Sequence, residues 1–390
     1  MFIPGASQRF AVPNLVPTLA LFLIAVSASL GAWALLSTRT LSNEGAEAVP
    51  VARLASDAGA VAYLAPSTVQ VGDAEVTQDV LYVRRPGESE ARAVAAFEIP
   101  FGAPGLRAHG EASPAGDMVA IVHATPDRAE VGSLSFVALP SGARVVADRY
   151  VDLLSPLAWS SDSERVAAVQ RVARDGVVET QVLQFDARTG ATIDVASFQD
   201  AHQVVPVGYS PGGGRLFIVV VDKSGSTLWV RHDGQLERLH QFSAGPTRDW
   251  SLSPDGARLA FVDRLGVGDR TYAGKTLLIA TGAITEAAPG GDQLGPVWRP
   301  GKAAADFGGP DGSLRLDAPG TDETAYVLPM RWAPDGSMLV ATIYSAGRDG
   351  SGVPTESIEI LPDLSRSSQS REPLAPQADA RFVGWVRDIE

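Results

Sequence analysis

The chain of 390 residues has no cysteine. Disulfides, thiolate metal sites, cysteine nucleophiles and a lipid-modified N-terminal cysteine are therefore excluded. Histidine is scarce as well: His109, His123, His202, His232 and His240 are the five present, and none is paired with another at metal-ligand spacing. Positive charge is in deficit, with 32 lysines and arginines against 45 acids and a net charge of −13. That balance disfavours a grip on phosphate backbones and removes nucleic acid as a partner class. No Gly-x-Ser-x-Gly nucleophile elbow occurs. The cluster Pro211-Gly-Gly-Gly214 is not a phosphate loop, because no helix follows it. No cofactor or metal is expected.

What the chain does have is 39 glycines and 27 prolines, the mark of many tight turns, and one long apolar run. From Leu15 to Leu36 there are 22 residues without a charge, between Arg9 and Arg39. A run of that length can cross a bilayer as a helix. Val26-Ser27-Ala28 and Ala32-Trp33-Ala34 read as small-residue cleavage sites, so a removed signal peptide is the alternative. The run continues past the first of these sites, which favours a retained anchor at 15–36. A short tail at 1–14 then stays inside, and the large C-terminal domain lies outside the cytoplasm. With the segment cleaved, the domain would be periplasmic or secreted. Residues 37–50 are small, polar and acidic, and read as a linker.

The rest of the chain repeats one phrase: an aromatic or apolar residue, a turn, then a short apolar strand. Taking the first turn residue as an anchor gives Ala55, Ser113, Ser160, Ser210, Ser253, Arg299 and Ala333. Their spacings are 58, 47, 50, 43, 46 and 34 residues. Runs such as Val119-Ala-Ile-Val122 and Leu216-Phe-Ile-Val219 follow the turns, and only the copy at Arg299 is degraded. Such runs between Gly/Pro turns are too short for helices and fit buried strands. A second apolar strand and a hairpin turn follow most anchors, as at Val182–Phe185 before Thr189-Gly190. Four short strands in about 40–50 residues make a β-propeller blade, whose faces are buried only by stacking on its neighbours. The fold class is therefore all-β, with the propeller over residues 51–390. Phe382–Val386 reads as a last inner strand, with Trp385 matching Trp298 and Trp332, and closes the ring against the N-terminal unit. Seven anchors predict seven four-stranded blades, with six or eight left open by the copy at Arg299.

Ser253-Pro-Asp-Gly256 and Ala333-Pro-Asp-Gly336, with Trp332 before the second, resemble the repeats of bacterial TolB-type propellers. These are WD-like repeats, also found in propeller domains beside prolyl-oligopeptidase-like hydrolases. The resemblance spans about residues 51–390 and implies a propeller fold. The chain shows no separate α/β domain ahead of the propeller and no room for a hydrolase domain, so neither activity carries over.

Asp255 and Asp335 are read as turn residues, since Pro presets φ, Asp bonds its neighbouring backbone and Gly accepts positive φ. Trp159, Trp298, Trp332 and Trp385 are read as packing between blades. Anchor turns and hairpin turns fall on one face of a meandering blade. The other face receives longer connections, including Ala65–Asp79, His123–Gly132, Arg171–Val177, Asp263–Lys275 and Tyr344–Thr355. Function concentrates on variable loops held by a rigid scaffold. The expected binding residues are therefore Arg171, Arg174, Asp263, Arg264, Asp269, Arg270, Arg348 and Asp349, set against a plain solvated rim. The function expected is a membrane-tethered, non-catalytic scaffold that binds a protein or small ligand on this face. A propeller hydrolase or lactonase with a central-channel site is the alternative.

Overall fold

The computed structural model describes residues 59–387, apart from 72–73, 100–106, 126–127, 140, 175, 265–270, 288–290, 315–325, 346–354, 363–370 and 378. The tail at 1–14, the apolar run at 15–36, the linker at 37–50 and the anchor Ala55 lie outside the described residues. Among those described, no helix is long and apolar enough to cross a membrane. Residues 53–69 and 75–390 form one compact unit; a second takes in 1–52 and 70–74, nearly all outside the described set.

All regular structure described is β-strand. Six antiparallel sheets have four strands each and are blades 1 to 6, at 60–98 with 381–386, 109–152, 158–199, 203–243, 248–286 and 326–373; a seventh, at 294–308, has two. The strands form for a visible reason. Arg215–Asp222 is an almost unbroken series of β-branched and aromatic residues, and Leu216 to Val221 are all buried. Such a strand sits second in its sheet and is covered on both faces. The fourth strand of the same blade, Gln235–Ser243, is more polar and only Phe242 in it is buried, as suits the outer edge of a blade.

The turns set the register. In Ser253-Pro-Asp-Gly256, the Gly256 N–H donates to the Ser253 carbonyl at 2.8 Å. The Asp255 carboxylate accepts the Ser253 hydroxyl at 2.5 Å and the Ala257 N–H at 3.0 Å. Gly256 has φ +65°, which favours glycine there. Asp335 accepts the Ser337 N–H at 2.9 Å in the corresponding place and takes its hydroxyl bond from Ser337 at 2.7 Å, because Ala333 offers none. Both aspartates thus belong to the scaffold.

Every neighbouring pair of sheets shares a buried apolar cluster. Between blades 4 and 5, for example, Phe217, Val219 and Val221 meet Leu259, Phe261 and Leu277. Tryptophans add a directional bond to this packing. Trp159 Nε1 donates to the Glu111 carbonyl at 2.9 Å, Trp298 Nε1 to Ser251 at 3.0 Å, and Trp385 Nε1 to Arg331 at 3.2 Å. Each acceptor lies two residues ahead of the preceding repeat's anchor. Trp229 fills the gap between blades 3 and 4, edge-on to Phe198.

The ring closes by pairing the two ends of the described chain. The strand Arg381–Val386 lies antiparallel to Ala60–Val71, with Val61 opposite Trp385, and is the inner strand of blade 1.

Two expectations are corrected. There are six four-stranded blades, not seven. The repeat at Arg299 forms a two-stranded sheet, Leu294–Trp298 with Ala305–Gly308, between blade 5 and the last four-stranded blade, blade 6. Its second strand has four residues with no β-branched side chain, and Gly-Gly-Pro-Asp-Gly at 308–312 ends it. Gly308 also lies so close to blade 6 that a Cβ would sit 2.0 Å from the Val327 carbonyl oxygen. Second, several long connections are not loops but extensions of the strands. Ala60–Val71 and Ala74–Arg84 form one hairpin, Met118–Thr125 and Arg128–Ala138 a second, and Arg165–Arg174 and Val177–Asp186 a third. Alternating residues such as Ser67-Thr-Val-Gln-Val71 suit a two-sided strand as well as a loop, and cross-strand pairing decides between them.

Candidate functional site

The inner strands of the sheets run from the hairpin-tip end of the propeller toward the anchor turns. They are Arg381–Val386, His109–Ala112, Ala158–Trp159, Gln203–Tyr209, Arg248–Leu252, Leu294–Trp298 and Tyr326–Trp332. Most of them bulge. The register skips Val207, Asp249 and Trp250, Gly295 and Pro296, Met330, and Val383, each three or four residues ahead of the turn or strand end. A bulge re-aims side chains out of the ladder. Four of these five bulges line a cavity of about 350 Å³ on the propeller axis. Glu111 of blade 2, Trp250 of blade 5, Leu328, Met330 and Arg331 of blade 6, and Phe382 of blade 1 face it. Asp249 adopts φ +54° here, a left-handed conformation that Asp tolerates better than most residues.

The charged groups of this axis are tied to one another. Glu111 is ion-paired with Arg331. Asp249 accepts Arg248 Nε at 3.0 Å and the Gly295 N–H at 3.3 Å. At the hairpin-tip end, Asp79 is fully buried and accepts Arg107 Nε at 2.9 Å, an Arg381 terminal nitrogen at 2.6 Å and the Ala108 N–H at 2.8 Å. Burial alone would raise the Asp79 pKa, but the hydrogen bonds from Arg107, Arg381 and Ala108 outweigh it and hold the carboxyl below its ordinary range. His109 donates Nε2–H to the Leu153 carbonyl at 2.9 Å. Burial, aided by Arg381, lowers the pKa of its ring and keeps it neutral near pH 7.

This arrangement suits binding better than proton transfer. A carboxylate held by arginine is a weak base, and general-base catalysis needs a pKa near the working pH. The rest of the lining is aromatic, aliphatic and proline surface with a few convergent polar groups, as in ligand pockets generally. Among the described residues, no group of three or more His, Asp and Glu could hold a metal ion.

The residues expected to bind from the sequence lie elsewhere. Arg171 is on the second strand of blade 3, where Nε donates to Asp152 Oδ2 at 2.7 Å and the backbone N–H to Oδ1 at 2.9 Å. Arg174 ends the same strand, and its side chain is outside the described set. Asp263, on blade 5, accepts Lys275 Nζ at 2.8 Å and the Ser243 hydroxyl at 3.1 Å. Arg264 beside it is exposed and also has a partner. Blade 4 stands between these two pairs, so they are not brought together. Asp269, Arg270, Arg348 and Asp349 lie outside the described residues. Sequence reasoning missed Glu111, Asp249, Trp250, Met330, Arg331 and Phe382. The one available signal was position, because all lie two to four residues ahead of a turn or strand end and so share one level of the axis.

No protein-family model and no curated protein sequence matches the chain. Solved structures do match. The β-propeller domain of the Trilobed protease from Pyrococcus furiosus aligns with a TM-score of 0.50 at 12% identity, over 82% of this chain and 99% of that one. Acylaminoacyl peptidase from Pyrococcus horikoshii aligns with a TM-score of 0.52 at 11% identity, over 80% of this chain and 52% of that one. TolB from Acinetobacter baumannii aligns with a TM-score of 0.44 at 15% identity, over 83% and 66%. The chain thus spans about half the length of the peptidase and about two thirds of TolB. At these identities the likeness concerns fold alone, and the fold is the β-propeller that the repeat resemblance implied.

Proposed function

We propose that the chain is a propeller module that binds a partner without transforming it, held at a membrane by residues 15–36 with the propeller outside the cytoplasm. The observation that carries this reading is the axial cavity: apolar walls, with its carboxylates already bound by arginine or backbone. A partner's apolar side chain or short loop fits such a site, with Trp250, Met330 and Phe382 giving contact area and Glu111 and Arg331 fixing orientation. The charged face read from the sequence, Arg171, Arg174, Asp263, Arg264, Asp269, Arg270, Arg348 and Asp349, is kept as a separate proposal: it would steer an approaching partner at long range and does not rim the axial cavity. The net charge of −13 favours a neutral or basic partner surface.

The test is capture of partners from an envelope extract by the full chain, beside Met330→Glu and Trp250→Ala. The reading expects one or more proteins retained by the wild type and lost from both variants. Equal capture by all three would overturn the axial site. Turnover of peptide, ester or lactone substrates by the pure protein, abolished by Glu111→Gln, would overturn the non-catalytic reading in favour of a channel hydrolase.

A further inference from the structure

Four repeats open their anchor turn with serine, and one of them differs from the rest. Ser113 Oγ donates to Asp117 at 3.0 Å, Ser160 Oγ to Asp162 at 2.5 Å, and Ser253 Oγ to Asp255 at 2.5 Å. Asp162 and Asp255 also accept an N–H two residues on, from Glu164 and Ala257, both at 3.0 Å. In blade 4 the turn is Ser210-Pro-Gly-Gly-Gly214, with Gly212 where the aspartate stands in the other two. This turn closes in the same way, with the Gly213 N–H on the Ser210 carbonyl at 2.9 Å. Gly212, however, takes φ +81°, and it brings no carboxylate. Among the described residues, neither the Ser210 hydroxyl hydrogen nor the Gly214 N–H has an acceptor.

Gly213 and Gly214 of this turn line a cavity of about 360 Å³ between blades 3 and 4, at the anchor-turn end, away from the axial site. Gly213, Gly214, Arg165, Arg231 and Tyr209 face it. A Cβ added at Gly212 or Gly214 would meet nothing within 4 Å, so the space over the turn is open. Arg231 is fixed through Nε, which donates to the Val195 carbonyl at 3.0 Å. Its two terminal nitrogens have no partner among the described residues. Arg165 is spoken for, by Asp162 and by the Gly213 carbonyl at 3.1 Å. Asp233, the one acid in the lining, lies 3.4 Å from His232 and is strongly exposed.

We propose that this cavity binds a carboxylate. The incoming group takes the part played by Asp162 and Asp255 in the sister turns. It accepts the Gly214 N–H and the Ser210 hydroxyl, and the free face of Arg231 supplies a charge-assisted bond. A carboxylate is favoured over phosphate because the two free donors of this turn are the pair that a carboxylate satisfies in the sister turns. The ligand is either an acidic residue of a polypeptide or a free small acid. The proposal does not depend on the axial site.

The experiment is calorimetric titration of the full chain, at matched ionic strength, with N-acetyl-aspartate amide, N-acetyl-asparagine amide, acetate and inorganic phosphate. Saturable binding of a carboxylate, with none by the asparagine analogue, is the expected result. Arg231→Gln should weaken binding about tenfold or more, as loss of a hydrogen bond to a charged group does. Gly212→Asp supplies the aspartate of the sister turns once residue 212 leaves its left-handed φ of +81°, and in a variant shown to stay folded it should abolish binding by filling the site from within. Ser210→Ala gives a milder loss in a fold that keeps its turn. Tighter binding of the capped aspartate than of acetate identifies a polypeptide acid, and equal binding a free small acid; both support the site. No saturable carboxylate binding, equal binding by wild type and Arg231→Gln, or a preference for phosphate would overturn it.

Discussion

The seam that closes the ring inside blade 1 and the two-stranded sheet both depart from the repeat of chain-continuous four-stranded blades, and they differ in what is added to the apolar packing present at both. At the seam, Asp79 gathers Arg107 and Arg381, the last of them 302 residues away in sequence. The Arg387 N–H donates to the Gly116 carbonyl at 2.9 Å, and Trp385 to Arg331. At the two-stranded sheet the cover is apolar, with Trp298 and Phe307 packed on Ala260 and Val262. There the Trp332 N–H, near Asp306, has no well-directed partner, and its ring lies under the Arg299 guanidinium at 4.5 Å. Burial pushes the Asp306 carboxyl up, against the pull of Arg299. The difference follows from chain connectivity. Joining distant segments must offset a loop-closure entropy, and at the seam the charged bonds of Asp79 add to the backbone ladder and the apolar packing that do so. A sheet flanked on both sides by its own chain neighbours is held in place by packing.

The largest expected effect tests this contrast directly. Asp79→Ala leaves two mostly buried arginines without their acid and should destabilise the protein by about 3 kcal/mol in denaturant unfolding. Asp306→Ala should cost little or stabilise. Equal losses from the two would erase the distinction.

His123 sharpens the comparison one interface from the seam, where it packs on Phe97 of blade 1 and meets Arg144. Burial, then the nearby Arg144, lowers its pKa from 6.5 to about 4. The folded state therefore holds it neutral. Its contribution is complete above pH 6.5 and is lost as pH falls toward 4, by about 2–3 kcal/mol. His123→Gln should flatten the pH-stability curve in that window, and an unchanged curve would remove His123 from the account.

The two acids should also differ in sign. Asp79, with its pKa held down, contributes stability that is present above the ordinary carboxylate pKa and lost as pH falls through its lowered value. Asp306, with its pKa raised, contributes in the opposite direction, favouring the fold as pH falls. Asn variants of each, compared by unfolding between neutral and acid pH, should move the acid limb in opposite ways.

The smallest effect is in the tryptophans. Trp385→Phe loses a hydrogen bond to Arg331 and should cost about 1 kcal/mol beyond the lost packing. Trp332→Phe has no such bond to lose. Matching thermal shifts in the two variants would show that the indole bonds add nothing to the ring.

Much of the architecture was legible because a blade is a local object. The turns at Ser253 and Ala333, the second strands such as Leu216–Val221, and the tryptophans of the inner strands each depend on residues close in sequence. The count of four-stranded blades was less legible. The anchor at Arg299 keeps the phrase, yet the strand after it is too short and too poor in β-branched residues to carry a full sheet. The hairpin tips misled for a related reason, since polar alternating stretches read equally as loops. The axial site was legible only as a level, two to four residues ahead of each turn or strand end. Glu111, Asp249, Trp250, Met330 and Phe382 come from separate repeats, and nothing in their local sequence distinguishes them from strand residues facing a neighbouring blade.

By itself, then, the sequence determined an all-β chain of propeller repeats, with aspartates committed to turns and tryptophans to packing, because periodicity and turn chemistry act over a few residues. Only the tertiary structure decided the six four-stranded blades, the clasp at Asp79, the bulges that turn side chains toward the axis, and the uncapped turn at Ser210 beside Arg231. Each of these depends on which distant backbone groups meet, and the ring brings them together only when it closes.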